Sequence, residues 1–159
     1  MNAGECVRRL FFVIFAPDSQ QESSPLSGRK STQATVRICG ASSIVEAFAR
    51  RLEDGDFVGA ILDYYTPDAA THENLAAPVV GRDKLADKER RVLAAFKEVT
   101  AVRIGPSLID GDIVASRWKF SFTNAEGVTR TLEEIAWQTW RGNEIIEERF
   151  FYDPKQLGR

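Results

Sequence analysis

The last third of the chain constrains the fold most, because strand-like runs alternate there with residues typical of tight turns. The turn signals are Asp-Gly at 110–111, Asn-Ala-Glu-Gly at 124–127 and Gly-Asn at 142–143. Such pairs supply the positive φ angles that short hairpin turns need. The runs between them are rich in Val, Ile, Thr, Phe and Trp, which favour strands. The sequence therefore predicts four antiparallel strands between residues 99 and 153.

Three helices are predicted before these strands. The first begins at Ser43 with the spacing of a capping box and ends at Gly55. Asp56 can cap the second helix, a short strand is predicted over 69–75, and the third helix over 81–96. We therefore expect an α+β fold, in which a cone-shaped, curved antiparallel sheet is wrapped by three N-terminal helices. Such a cone encloses a pocket, where a ligand would bind.

Side-chain alternation predicts which residues of two strands share a face. In the strand over 112–123, Trp118 and Phe120 lie on one side, and in the strand over 129–140, Glu134, Gln138 and Trp140 do so. The opposite side of the second strand carries Trp137. A sheet that is apolar on both faces is covered on both faces. Helices can cover one face, and we expect a second copy of the chain to cover the other, as a homodimer.

On the third helix, Leu85, Val92 and Phe96 are predicted to face inward. Lys88 and Glu89 are predicted to face solvent, as charged side chains on a helix usually do.

The chain divides into a leader over 1–42, predicted to be disordered, one domain over 43–154, and a tail over 155–159. The stretch 18–33 is rich in Ser, Gln, Pro, Gly and Lys, a composition that cannot bury enough apolar surface to order itself. The apolar run 10–16 resembles a short signal peptide, but no Ala-x-Ala cleavage site follows it. A cytoplasmic location is therefore predicted in preference to secretion. Seven apolar residues are too few to span a bilayer, so no membrane anchor is expected.

Charge and metal-ligand content exclude several function classes. The net charge is −2 and no block of basic residues is present, so a nucleic-acid partner is not expected. The chain has one histidine, and its two cysteines, Cys6 and Cys39, lack the spacing of metal ligands. No metal, nucleotide or redox cofactor is implied.

The ordered set of elements resembles a known family. Helix, helix, strand and helix precede a long antiparallel sheet, with Thr-His-Glu-Asn at 71–74, Gly-Arg at 81–82, and a C-terminal run from Trp to Asp over 140–153. This set resembles the SnoaL-like (polyketide-cyclase-related) domains of the nuclear-transport-factor-2-like superfamily, over roughly 43–154. The fold hosts isomerases, cyclases, hydrolases, dehydratases and non-catalytic binding modules, so function must be argued from the site.

The resemblance implies a role for Glu73, which falls where ketosteroid isomerases of this fold keep a catalytic aspartate base. Phe48 and Ala136 fall where those enzymes carry the two proton donors of the oxyanion hole. Losing one such donor costs orders of magnitude in rate, which argues against ketosteroid isomerase chemistry. SnoaL-like cyclases use a histidine and an aspartate, and His72 lies in the matching segment.

Glu73 and Glu134 are the candidate catalytic carboxylates. Both are predicted on strands among apolar residues, where desolvation raises the pKa of a carboxyl group and suits it to act as a general base. The alternative is that Glu134 forms a structural ion pair with Arg117 or Arg149. His72 is a third candidate, but strand alternation aims it away from Glu73, so we expect Glu73 to face the cavity.

The candidate ligand contacts are of two kinds. Aromatic side chains could line an apolar cavity or simply fill the core, and polar ones could bind a ligand oxygen. The residues are Trp118, Phe120 and Trp140, together with Gln138 and Tyr64, for which Tyr65 and Tyr152 are alternatives. We expect a small-molecule-binding domain acting as a cofactor-independent isomerase, cyclase or dehydratase on an apolar organic molecule. The alternative is a non-catalytic ligand-binding or dimerisation module.

Overall fold

The computed structural model describes residues 41–157, which form helices packed against one sheet. The helices are α1 (Ala41–Glu53), α2 (Phe57–Tyr64) and α3 (Arg82–Ala94), and a short 3₁₀ helix spans Pro154–Leu157. The strands are β1 (Tyr65–Glu73), β2 (Val79–Val80), β3 (Glu98–Arg103), β4 (Leu108–Asp110), β5 (Ile113–Thr123), β6 (Thr129–Arg141) and β7 (Glu144–Phe151). The predicted leader lies outside the described residues except for its last two, since α1 begins at Ala41.

The strand order is β2-β1-β7-β6-β5-β3, and β4 pairs with β5. Every neighbouring pair is antiparallel except β1 and β7, which run parallel. The predicted fold class, α+β with a curved and mostly antiparallel sheet beside three helices, is confirmed. The parallel pair was not predicted, because it joins residues about 80 positions apart and leaves no local pattern.

The predicted turns and the second helix cap are present. Gly111, Gly127 and Gly142 have φ angles of 61°, 79° and 64°, as the hairpin turns require. The Asp56 side chain accepts a hydrogen bond from the Gly59 amide at 3.1 Å and caps α2. These local signals set the ends of the elements that surround the pocket.

Strand β1 begins at Tyr65, four residues before its predicted start. The Tyr65 backbone is already extended, with φ −103° and ψ 142°, although its N–H still bonds to Ile61. Pro67 lies in the irregular stretch where the register between β1 and β7 shifts, between Tyr65 and Ala70. A proline cannot donate to a strand ladder, so it is tolerated at such an irregularity.

Among the described residues, the helices cover one face of the sheet and leave the other open. Buried Phe48 of α1 packs edge-on against Trp140 at 5.8 Å between ring centroids, and Phe57 of α2 joins a cluster with Trp118. The open face carries Ile135, Trp137 and Phe151, which are 44%, 49% and 44% exposed. The predicted alternation in β6 is therefore confirmed.

The predicted tail is partly ordered. The Gln156 side chain donates to the Glu133 carbonyl and accepts from the Glu133 amide, both at 2.9 Å, which fixes the 3₁₀ helix to β6. Among residues 41–157, no helix is long and apolar enough to cross a membrane.

Candidate functional site

A cavity of about 150 Å³ lies between the helices and the covered face of the sheet. Most of its wall is apolar, and several ionisable side chains interrupt it. The main apolar residues are Phe48, Leu52, Phe57, Ile61, Val92, Trp118, Phe120, Phe122, Leu132, Ala136 and Phe150. The ionisable residues are Tyr65, Glu73, Lys88, Glu89, Glu134 and Glu148. An apolar cavity with a few converging polar groups is typical of a small-molecule site.

The end of β1 places Glu73 in the cavity and His72 on the opposite side, as the predicted alternation requires. Glu73 Oε1 lies 2.9 Å from Lys88 Nζ. His72 does not line the cavity, and its Nε2 atom lies 3.4 Å from Glu147 Oε1. Burial, followed by the negative charge of Glu73 and a hydrogen bond to it, raises the pKa of Tyr152. Glu73 thus has a cation and a phenol as neighbours.

Asn74 fixes this end of the strand. Its φ angle is 50°, its amide donates to the Phe150 carbonyl at 2.8 Å, and its side-chain oxygen accepts from the Tyr152 amide at 3.1 Å. These bonds join β1 to β7 next to Glu73, so the position of the carboxylate is set by two strands. Asparagine is one of the few residues other than glycine that adopts this conformation readily.

The prediction that Lys88 and Glu89 face solvent is wrong. Lys88 is 9% exposed, and both residues line the cavity. Lys88 follows Leu85 by three residues and precedes Val92 by four, so it lies on the buried face of α3. That spacing was the available signal, but a lysine is rarely buried without a partner, and its partner Glu73 is distant in sequence.

Glu134 enters the cavity from the middle of β6. It lies opposite Trp118 in the register between β5 and β6, and it is 8% exposed. Within residues 41–157 its carboxyl group has no hydrogen-bond partner. Burial raises its pKa well above the ordinary value, and the negative charges of Glu73 and Glu148 raise it further. A carboxyl group in these surroundings favours its neutral form.

The alternative ion pairs for Glu134 are not formed. Arg117 binds the neighbouring Glu133 at 2.7 Å on the open face of the sheet. Arg149 donates to the Asn74 carbonyl at 2.8 Å. Glu134 is therefore a cavity group and does not belong to a structural ion pair with either arginine.

Glu148 is a buried cavity carboxyl group that the sequence did not reveal. The Tyr65 hydroxyl donates to its Oε2, and Gln138 Nε2 donates to its Oε1 at 2.7 Å. Trp140 Nε1 in turn donates to Gln138 Oε1 at 3.1 Å. Burial raises the pKa of Glu148 to about 7, against the lowering effect of the two hydrogen bonds. Gln138 and Glu148 are paired between β6 and β7 only because the register shifts between Thr139 and Trp140, so the turn at Gly142 alone does not indicate this pair in the sequence.

The predicted ligand contacts divide into two groups. Trp118 and Phe120 line the cavity, as expected. Gln138 and Trp140 are buried beside it in the hydrogen-bonded chain, outside the lining. Tyr64 packs edge-on against Phe48 at 5.4 Å, and its neighbour Tyr65 lines the cavity instead. The choice between the two tyrosines depends on where α2 becomes β1, and this boundary lies between them.

In the described part of the chain, no group of three or more His, Cys, Asp or Glu side chains is arranged to hold a metal ion.

In the part of the chain that the structure describes, three helices pack against a curled, mostly antiparallel sheet with an internal cavity, which is the cone fold of the nuclear-transport-factor-2-like superfamily. Three solved structures illustrate the similarity. A candidate SnoaL-like polyketide cyclase from Mesorhizobium loti is 29% identical, with a TM-score of 0.59, covering 70% of this chain and 98% of that one. A candidate SnoaL-like polyketide cyclase from Jannaschia is 15% identical, with a TM-score of 0.61 and coverage of 84% and 92%. A ketosteroid isomerase-like fold from Catenulispora acidiphila in complex with trimethylamine is 18% identical, with a TM-score of 0.61 and coverage of 72% and 88%.

The sequence itself matches the SnoaL-like domain over residues 45–148. The chain belongs to this family. No curated protein matches it.

Proposed function

We propose that the protein binds a small, largely apolar organic molecule in its cavity and catalyses a cofactor-independent proton transfer on it. The observation that carries this proposal is the presence of two carboxyl groups in opposite electrostatic surroundings. Glu73 faces the Lys88 ammonium at 2.9 Å, whereas Glu134 is buried without a hydrogen-bond partner among the described residues, and its pKa is raised. In many enzymes, two carboxyl groups in such contrasting surroundings serve as the general acid and the general base.

In this proposal Glu73 is the general base. Its carboxylate group, 2.9 Å from the Lys88 ammonium, accepts a proton from a carbon atom next to a ligand carbonyl. Glu134 keeps its own proton and donates a hydrogen bond to the carbonyl oxygen as negative charge develops there. Return of the proton to another carbon gives isomerisation. Attack by the enolate carbon on a second carbonyl, whose oxygen takes up the proton from Glu73, gives aldol-type cyclisation. Loss of a β-hydroxyl group, which leaves as water with that proton, gives dehydration.

The relatives support binding of small molecules in this fold. The Mesorhizobium loti protein is described as a candidate polyketide cyclase, and the Catenulispora acidiphila structure holds trimethylamine. The apolar walls around Trp118 and Phe120 favour a ligand with an apolar body.

A non-catalytic ligand-binding module is the second candidate function. Phe48 and Ala136 favour it, because both line the cavity at positions where the resemblance to ketosteroid isomerases implies proton donors. The two candidates share the cavity and differ only in whether its carboxyl groups move protons.

Exchange of carbon-bound hydrogen in heavy water distinguishes the two functions without knowledge of the natural substrate. The probe is 2-tetralone, a bicyclic ketone with acidic protons beside its carbonyl, and mass spectrometry counts the deuterium incorporated. We expect the wild-type protein to accelerate exchange and Glu73→Gln to lower the rate about 100-fold or more. We expect Glu134→Gln to lower it by a comparable factor, because it removes the O–H donor to the oxyanion.

Two matched controls lie next to these residues on the opposite side of the strands. His72→Gln and Glu133→Gln change neighbours that do not line the cavity, so both should leave exchange unchanged. Binding of 2-tetralone without any exchange above the buffer rate would favour the binding module and contradict the catalytic proposal.

We also propose that the open face of the sheet pairs two copies of the chain. Ile135, Trp137 and Phe151 are each close to half-exposed on this face, with Arg149 and Glu147 beside them. Large apolar side chains that are grouped on a surface and accompanied by charges are typical of protein interfaces.

A further inference from the structure

We propose that Glu148 is a positioning residue that takes up a proton on Oε2 and thereby frees the Tyr65 hydroxyl to donate a hydrogen bond to an oxygen atom of a bound ligand. A hydrogen-bonded chain of side chains joins Trp140, Gln138, Glu148 and Tyr65.

The tryptophan at one end fixes the direction of this chain. An indole N–H can only donate, so Gln138 must turn its carbonyl oxygen toward Trp140. The amide nitrogen of Gln138 therefore points at Glu148 and donates to Oε1. Trp140, Gln138 and Glu148 are 1%, 2% and 3% exposed, so the hydrogen-bonded chain is shielded from solvent.

The chain also fixes where Glu148 can carry a proton. Oε1 faces an amide N–H and must remain an acceptor, so a proton on Glu148 belongs on Oε2, the atom that faces the Tyr65 hydroxyl. When Glu148 is ionised, it can only accept, and Tyr65 must donate to it.

When Oε2 carries the proton, two O–H groups meet at one contact and one of them must turn away. A carboxylic acid is a stronger acid than a phenol by about 6 pKa units, so it is the better donor of the two. Glu148 then donates to the Tyr65 oxygen, and the Tyr65 hydrogen rotates toward the cavity that this residue lines.

Burial and the surrounding charges together keep both the protonated and the ionised form of Glu148 accessible near neutral pH. Its pKa is about 7, mainly because of burial, with a smaller raising effect from Glu73 and a lowering effect from Lys88. Glu89 and Glu134 are the other ionisable groups that act on Tyr65. Burial and the charge of Glu148 raise the pKa of Tyr65 well above its ordinary value, so Tyr65 remains a phenol that can donate in both states.

The ligand-facing half of this inference rests on the proposed function. The Tyr65 ring lies 6.3 Å from that of Phe48, which has no hydroxyl to offer a ligand. Tyr65 would supply that donor from the adjacent wall of the cavity. The ligand would therefore carry a carbonyl or enolate oxygen, and the protonated form of Glu148 would bind it more tightly.

Nuclear magnetic resonance tests the protonation step on the full chain without any ligand. The chain has three tyrosines, so carbon-13 at their ζ positions gives three resonances, and Tyr65→Phe identifies the one from Tyr65. That resonance should shift with pH, with a midpoint near 7. The shift should disappear in Glu148→Gln. In Gln138→Met the midpoint should rise, because a donor that stabilises the ionised form is lost.

Glu147→Gln is the matched control, because it removes the adjacent carboxylate of β7 on the opposite side of the sheet and should leave the titration unchanged. A Tyr65 resonance that does not move with pH would overturn the inference, as would the same titration in Glu148→Gln. Should Glu148→Gln fail to fold, an unchanged midpoint in Gln138→Met would overturn it equally. These outcomes do not depend on whether the protein is an enzyme.

The ligand-facing half is tested with 2-tetralone by calorimetry on either side of the Glu148 transition. We expect tighter binding below the transition in the wild-type protein, and no such difference in Glu148→Gln or Tyr65→Phe. Equal affinity at the two pH values, or no binding, would overturn this half and leave the protonation step to the resonance experiment.

Discussion

Glu148 should make the folded state less stable as the pH rises, and replacing it should remove this dependence. Its pKa is about 7 in the folded protein, against an ordinary value of 4.5. The unfolded chain therefore loses this proton at lower pH than the folded chain does. Glu148 therefore contributes fully to the stability of the folded state below pH 4.5, and this contribution is lost as the pH rises to about 7.

The free energy of unfolding that is lost through Glu148 is large relative to the stability of an ordinary domain. The two values differ by about 2.5 pH units, and each unit corresponds to 1.36 kcal/mol, so about 3 kcal/mol is lost across this window. Natural domains are stable by only about 5–15 kcal/mol.

Glu148→Gln keeps the shape of the side chain and imitates its protonated form. Its carbonyl oxygen can accept from Gln138, and its amide can donate to the Tyr65 oxygen. We therefore expect the variant to be more stable than the wild-type protein by about 3 kcal/mol above the transition, with a difference that shrinks toward zero as the pH falls. Glu144→Gln, which changes an exposed carboxyl group at the start of β7, should alter stability by less than about 0.5 kcal/mol throughout.

Urea unfolding at a series of pH values, followed by tryptophan fluorescence, measures these free energies. The slope of the transitions should be the same in both proteins, so that the midpoints report stability alone. A Glu148→Gln variant that is less stable above the transition would refute the reasoning. It would show that the hydrogen bonds accepted by the carboxylate outweigh the cost of burying its charge.

Three further predictions concern other parts of the molecule. Glu73→Gln should destabilise the fold by about 3 kcal/mol, because the buried Lys88 would lose its ion pair with Glu73, and adding Lys88→Met should restore most of this loss in the same urea experiment. Trp137→Glu should convert a dimer to a monomer in light scattering, and a monomeric wild-type protein would contradict the proposed interface. Asp56→Ala should cost about 1 kcal/mol in thermal unfolding through loss of the α2 cap and of the exposed ion pair with Arg51, and an unchanged melting temperature would show that neither contributes to stability.

Local signals made much of the fold predictable from the sequence. Alternation in β6 and turns fixed by glycines placed Glu134 on the covered face and Trp137 on the open one. The same two-residue period separated Glu73 from His72 at the end of β1. A one-residue change of register reverses every such assignment, so the agreement depends on the well-defined hairpin turns.

The rest of the site depends on contacts between residues that are distant in sequence. Lys88 is buried because β1 brings Glu73 beside it, and nothing local to α3 indicates that partner. Glu148 becomes significant only when β7 lies between β1 and β6, where it meets Tyr65 on one side and Gln138 on the other. Such pairings follow from topology, which propensity and spacing do not specify.

The central claim is that burial, together with the charges of Glu73 and Glu148, favours the neutral form of Glu134 in the cavity. Carbon-13 labelling of the δ carbons of glutamate distinguishes a carboxylic acid from a carboxylate directly. We predict a protonated glutamate resonance at about pH 7 that disappears in Glu134→Gln and persists in Glu133→Gln, the neighbour on the open face. Persistence of every protonated resonance in Glu134→Gln, or full ionisation of all glutamates in the wild-type protein at this pH, would contradict the account.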